Sequence, residues 1–293
     1  MLTQIPILAK EVYKGFTPAV DFLNAISTKY EKGIALGTGK VGVVVVKSGG
    51  GKVFDRSKGY EFDDNNSTTE IVEFSNPIYI PTAWSSLEHS ETGFMTNSMR
   101  TKVQLDGATL GNMVFANVEA EWKKVNNTVS TIAESVIDIE DIADLRQKAQ
   151  EIGNNGSTIG WSVVLSNAAY TQLLKDNKIV SEAGTDDARV HGEIRKLFGI
   201  DIYGASVSSG ITGYLVHASS TAFGSQIVSP AIPEAAAKSE IQRILTDTNG
   251  NGINLLNKIW HDSNMNTARE VLECWCGCKV LDNGAGIWKI ANA

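Results

Sequence analysis

A chain of 293 residues that is 42% apolar and 20% charged can bury a sizeable core, in one large domain or two ordinary ones. Its formal net charge of −7 speaks against a protein built to grip nucleic acid, because Lys and Arg are scattered and Lys123-Lys124 is their densest pair. The three cysteines, Cys274, Cys276 and Cys278, fall within five residues and do not make a secreted disulfide scaffold, and no run approaches the roughly 18 apolar residues of a membrane span.

The N-terminus, MLTQIPILAKEVYKGF, lacks the basic start and small-residue cleavage site of a secretory signal, so the expected compartment is the cytoplasm of the cell that makes it. In residues 1–32, Phe22, Leu23 and Ile26 predict one short helix, and the rest reads as an extended arm. Residues 41–62 read as a hairpin. Val43, Val44, Val45 and Val46 are β-branched throughout, Ser48 with Gly49, Gly50 and Gly51 makes the reversal, and Lys52-Val53-Phe54 starts the return. Residues 63–69 are polar and loop-like, and Ile71–Phe74 and Ile78–Ile80 read as strands.

Residues 92–125 predict one long helix. Met95, Met99, Val103, Gly107, Leu110, Val114, Val118 and Trp122 recur every three or four positions, with Gly107 and Gly111 as weak points in the middle. Such a helix, about 45–50 Å long, would serve as a backbone for the molecule. Residues 130–225 alternate helix and strand. Ile139, Ile142, Leu145, Ala149 and Ile152 share a helical face, with Asp138 as N-cap and Gly153 past the end. Trp161–Leu165 is a strand, and Ser166 caps a helix bearing Tyr170, Leu173 and Leu174. Val190, Ile194, Leu197 and Phe198 mark a further helix stopped by Gly199, followed by strands at Ile200–Tyr203 and Gly213–Val216. Residues 240–282 return to strand at Ile253–Trp260 and Arg269–Leu281, connected by His261–Thr267. Prolines in three pairs, at 6 and 18, 77 and 81, 230 and 233, punctuate these changes.

The chemical motifs each lose to a plainer reading. Gly37-Thr-Gly39-Lys-Val-Gly42 matches a phosphate-loop spacing, but β-branched residues follow it, so it opens a strand where a nucleotide loop would open a helix. Asp247-Thr-Asn249-Gly-Asn251-Gly252 resembles half a calcium loop, yet Lys258 stands where a bidentate glutamate belongs, so an Asn-Gly turn is preferred. On a continuous strand Cys274, Cys276 and Cys278 would share one face at about 6.6–7 Å spacing, too far apart for a tetrahedral zinc. They read as small buried side chains. His89, His191, His217 and His261 form no catalytic pattern. No catalytic residue, cofactor or metal site is expected.

The order of parts carries more than any motif. An arm, a glycine-tipped hairpin, a very long helix, an α/β-like unit and two late strands resemble the major capsid proteins of tailed bacteriophages, with their Hong Kong 97-type α+β capsid fold. Three stretches add to the likeness: Trp161–Leu174, Glu193–Ser206 and Ala268–Val280. The resemblance implies an N-terminal arm at 1–32, an E-loop hairpin at 33–75, a P-domain with its spine helix at 76–129, an A-domain at 130–228, P-domain return strands at 229–285 and a C-terminal segment at 286–293. It implies a shell of pentamers and hexamers around double-stranded DNA contacted non-specifically, a place in the virion after assembly in the host cytoplasm, and scaffolding, portal and decoration proteins as partners. Scaffolding would come from a separate protein or a segment already removed. The expected subunit interface is the hairpin: Val43, Val44, Val45, Val46, Gly49, Gly50, Gly51 and Lys52. Some relatives crosslink a lysine there, but Lys47 and Lys52 read as solubilising charges. The alternatives are an encapsulin-like bacterial compartment of the same fold and, further off, an α/β enzyme built around His191 or His217.

Overall fold

A computed structural model describes residues 5–26, 28–30, 40–46, 67–74, 77–85, 97–152, 160–176, 194–225, 240–245, 253–262 and 267–293. The chain begins with α1 (Ile5–Ala19), a 3₁₀ turn at Asp21–Ala25 and β1 (Thr28–Tyr30), then β2 (Lys40–Val46), β3 (Ser67–Glu73) and β4 (Ile78–Ser85). The long α2 (Asn97–Trp122) leads to β5 (Thr128–Thr131), α3 (Ile139–Ile152), β6 (Trp161–Ser166) and α4 (Asn167–Leu174). The rest is β: β7 (Lys196–Leu197), β8 (Ile200–Ala205), β9 (Ile211–His217), β10 (Thr221–Ser225), β11 (Glu240–Leu245), β12 (Leu255–Asp262), β13 (Thr267–Cys274), β14 (Cys276–Val280) and β15 (Ile287–Ala291).

The predicted long helix is present as α2, 26 residues and about 39 Å long. The extended N-terminal arm is a misreading: α1 is a 15-residue helix laid against α2. The glycines that weaken α2 on paper explain the pairing. A methyl group at Gly107 would sit 2.3 Å from the Val12 carbonyl oxygen, and one at Gly15 would sit 1.9 Å from that of Gln104. One at Gly111 would meet the Ala19 methyl at 2.6 Å. The two backbones therefore touch, which only hydrogen in place of Cβ permits. Around the seam Val12, Phe16, Val20, Val103, Leu110 and Val114 are buried. The Tyr13 hydroxyl lies between the carbonyl oxygens of Leu245 and Ile253, at 2.8 and 2.7 Å, and ties α1 to β11 and the approach to β12.

The six-stranded sheet, in order β5-β15-β9-β6-β8-β7, divides two cores. Strand alternation sends Val163, Leu165, Leu215, Ile200 and Ile202 toward α3 and α4, while Val164, Tyr214, Val216 and Ala205 face the core around α2. Trp122 joins α2 to two sheets: its ring packs on Tyr214 of β9 at 5.2 Å, and its Nε1 donates to Thr221 Oγ1 of β10, outside the six-stranded sheet, at 2.9 Å. Both expected caps form. Asp138 Oδ1 accepts from the Glu140 and Asp141 backbone N–H groups at 2.8 and 3.1 Å, and Ser166 Oγ accepts from Ala169 N–H. Gly153 lies outside the described residues.

One element differs from expectation here. The helix predicted to end at Gly199 is a β-hairpin where it is described: Leu197 pairs with Ile200 across Phe198 and Gly199, whose φ values of 50° and 83° define a type I′ turn. Val190 lies outside the described residues. The segment set apart as C-terminal supplies β15, which lies inside the sheet between β5 and β9.

The late strands form an antiparallel four-stranded sheet, β11-β12-β13-β4, whose Leu245, Leu255, Leu272 and Cys274 pack on the α1–α2 core. Pro81 sits in β4, an edge strand, the place in a sheet where a missing N–H is tolerated. The single strand expected over Arg269–Leu281 is two. It breaks at Trp275, and β14 joins β10 and β1 in a separate three-stranded sheet.

The seam gives a direct expectation. Gly107→Ala gains about 1 kcal/mol of helix propensity but forces the backbones apart, so the net change is a loss of about 2 kcal/mol or more. Ala116→Gly on the exposed side of α2 costs only about 1 kcal/mol. Denaturant titration of both variants checks this inversion of the usual Gly–Ala order.

Candidate functional site

The valine strand forms a hairpin, but with a different partner from the one expected. β2 pairs with β3, Val43 opposite Glu70 and Val46 opposite Ser67, where Lys52–Phe54 was predicted. Ser67, Thr68 and Thr69, read as loop, are part of that strand. The polar run misled because Thr pairs well in a ladder whose one face is exposed.

Alternation gives the hairpin two faces. Val41, Val43 and Val72 point to the body of the protein, where Val43 and Val72 are 2% and 1% exposed against Phe74, Ala222 and Leu281. Gly42, Val44 and Ile71 point outward, with Val44 60% and Ile71 53% exposed. Val43 therefore belongs to its own chain, and Val44 is the valine offered to solvent. The backbones of Val45 and Val46 continue the ladder, while Gly49, Gly50, Gly51 and Lys52 lie outside the described residues. Gly42 sits within β2, so the glycine motif runs into a strand as expected; Gly37 and Gly39 lie outside.

The hairpin stands on β14. A methyl at Gly277 would lie 2.2 Å from the Glu73 carbonyl oxygen, so β3 crosses β14 at backbone contact. Lys40 and Glu73 close the base with a 2.6 Å ion pair. That hydrogen bond, then the lysine's charge, holds the Glu73 carboxyl below its ordinary range, with Lys279 adding to the effect. The pair's small contribution is present above the ordinary carboxylate range and fades as pH falls through the lowered value. Beside the crossing, a cavity of about 410 Å³ is bordered by Ile71, Asn117, Glu121, Cys276 and Cys278.

The cysteines flank the break at Trp275. Cys274 and Cys276 are buried, and Cys278 is half-buried with its Sγ 3.4 Å from the Asn117 carbonyl oxygen. A hydrogen bond to Cys276 and burial hold the Cys274 thiol above its ordinary value. Burial, then Glu121 and Cys276, do the same for Cys278. The hydrogen bond with Cys274 draws the Cys276 thiol below its ordinary value, and there it is burial that keeps the sulfur from acting as a nucleophile or ready ligand. His217 packs edge-on against Trp161 at 5.1 Å with Nδ1 2.7 Å from Ser219 Oγ. It borders neither this cavity nor the one beside α3, described below. His89, His191 and the His261 side chain lie outside the described residues.

One buried charge escaped the sequence. Glu119, 3% exposed, accepts from Ser208 N–H at 3.0 Å, Ser208 Oγ at 2.6 Å and Tyr214 OH at 3.2 Å, with Lys123 at 3.7 Å. It locks α2 to the loop before β9. Burial, then Glu119, pushes the Tyr214 hydroxyl far up, so it stays a donor. The helical period marks Glu119 as lying beside Val118 and Trp122, but its donors, Ser208 and Tyr214, come from 89 and 95 positions away.

No family model matches the chain, and no curated protein does. Solved structures do. A structure from Mycobacterium phage Che8 is 16% identical, covers 92% of this chain and 90% of its own, and superposes with a TM-score of 0.59. The capsid of the cyanophage P-SCSP1u is 10% identical over 88% and 85%, with a TM-score of 0.53. A virus-like particle from Pyrococcus furiosus is 12% identical over 97% of each chain, also at 0.53. The chain has the α+β capsid fold of tailed phages, as the order of its elements implied.

The two-faced hairpin predicts unequal valines. Val43→Ala costs about 2 kcal/mol through its cavity, while Val44→Ala stays within about 0.5 kcal/mol. Thermal unfolding of the pair measures the difference. The thiols predict slow chemistry: a disulfide thiol reagent at pH 8 titrates all three cysteines quickly only after unfolding.

Proposed function

We propose that this chain is a structural subunit that assembles with copies of itself into a closed capsid-type shell. The observation that carries the reading is the end-to-end likeness to a phage capsid and to a virus-like particle, over at least 85% of either partner. Partial matches would admit a borrowed domain; coverage of this extent concerns the whole subunit.

The hairpin supports it. A strand pair that exposes Val44 and Ile71 beside an open cavity is an aggregation hazard in an isolated molecule and a contact in an assembly. The other residues expected at this contact are Val45, Val46, Gly49, Gly50, Gly51 and Lys52. Many such contacts, each weak, hold a shell through repetition.

In its finer form the reading is the major capsid protein of a tailed phage. Pentamers and hexamers form in the host cytoplasm and enclose double-stranded DNA that they touch without sequence preference. Scaffolding, portal and decoration proteins are the accompanying partners. Acidity suits a wall that should not bind its contents tightly. No catalytic role is assigned. The second reading is an encapsulin-like compartment, favoured by the 97% mutual coverage with the Pyrococcus furiosus particle.

Electron microscopy of the expressed protein, alone and with any scaffold partner, is expected to show closed particles. A wild-type chain that stays monomeric under every assembly condition sinks the proposal. Nucleic acid inside native particles selects the phage reading, and a protein cargo selects the compartment. Val44→Asp with Ile71→Asp should leave the melting temperature nearly unchanged and raise the concentration needed for assembly about tenfold or more.

A further inference from the structure

The six-stranded sheet carries an unusual residue at one edge. Phe198 occupies the first central position of the type I′ turn joining β7 to β8, with φ at 50°. Asn, Asp and Gly fill that position at little cost, and a bulky aromatic is strained there. The ring is not tucked into the core in exchange, being 47% exposed. A residue that is both strained and exposed, and apolar as well, is poorly explained by the stability of its own fold. Beside it stand Arg195 and Lys196, with Asp201 at 3.5 Å from Lys196.

The opposite edge carries a hollow. β5 pairs with β15 on one side, and between β5 and α3 lies a cavity of about 430 Å³. Val129, Ile132 and Leu145 give it apolar walls, and Asp141, Asp144 and Lys148 border it. Ser130 Oγ is buried there without a hydrogen-bond partner. The volume is ample for an aromatic ring. Two carboxylates against one lysine line the hollow, where among the described residues the Phe198 edge has Arg195 and Lys196 against Asp201. Burial, then the charges of Asp138, Asp144 and Glu140, raises the Asp141 carboxyl, which an incoming cation would relieve. Asp141 also accepts from Asp138 N–H at the start of α3, so it is held in place whether or not the hollow is filled.

Knob and hollow cannot meet within one chain. They are separated by the width of the sheet, five strand spacings or about 24 Å. We propose that Phe198 of one copy inserts into the β5–α3 hollow of the next, with Arg195 and Lys196 set against Asp141 and Asp144. The contact is head-to-tail, using different surfaces on the two partners. Repeated with a closing rotation it makes a ring, the unit from which a shell is assembled. The inference deepens the shell reading and rests on it for the identity of the partner as a second copy.

Phe198→Asn separates the two roles of the residue. Asn accepts the positive φ, so the isolated subunit should melt at the same or a higher temperature. Loss of the ring should raise the concentration needed for association about tenfold or more, read by light scattering and electron microscopy. Lys196→Glu and Asp144→Lys, both exposed changes, should each weaken association, and the double variant should recover most of it. If Phe198→Asn associates at the wild-type concentration, or the double variant is no better than the single ones, this contact is wrong while closed wild-type particles keep the shell reading intact. If the wild type yields only rings, and those rings need Phe198, the contact stands and the shell reading falls.

Discussion

The contact on which the molecule depends is the backbone seam between α1 and α2. Three glycines remove the side chains that would hold two helices roughly 8–10 Å apart. Close approach then places Val12, Phe16 and Val20 of one helix deep among Leu110, Val114 and Phe115 of the other. Everything else is oriented from this pair. Tyr13 fixes the four-stranded sheet from the α1 side, and Trp122, packed on Tyr214, and Glu119 fix the six-stranded sheet from the α2 side. The seam therefore acts as the common reference for two sheets that share no strand.

Much of this order was legible in the residues. The long helix, the strand at Trp161 with its Ser166-capped helix, and the Asp138 cap all have local causes, namely periodicity and a polar side chain at a helix start. Errors came where distant partners decide. α1 contains Pro18 and an interrupted apolar pattern, and it is stable because α2 presents Gly107 and Gly111 to it. Leu197 and Phe198 fit a helical spacing, yet β8 captures Lys196 and Leu197 as a strand partner. A two-residue turn needs so little sequence that a strained Phe198 hides it.

The valine hairpin shows the same division at the scale of single side chains. A β-branched run announces a strand, but it does not say which face meets the body. That depends on register, and the register is set by Ser67–Glu73 across twenty intervening residues. Of the three cysteines read as buried side chains on one sheet face, Cys274 and Cys276 are buried and Cys278 is half-buried. The break at Trp275 that distributes them between two sheets has no signature in the residues, since Cys-Trp-Cys-Gly-Cys is as good a strand before the break as after it. Glu119 was invisible for a related reason: a glutamate on a helix is ordinary until Ser208 and Tyr214 arrive to bury it.

The position of β15 has a consequence for timing. β5 has its ladder partner about 160 residues downstream, and β15 is also what joins β5 to β9. During synthesis β5, which borders the hollow, therefore has no ladder partner until β15 has left the ribosome. If copies associate through the proposed contact, nascent subunits on a crowded message are poor partners for each other, and association is reserved for chains that have finished folding.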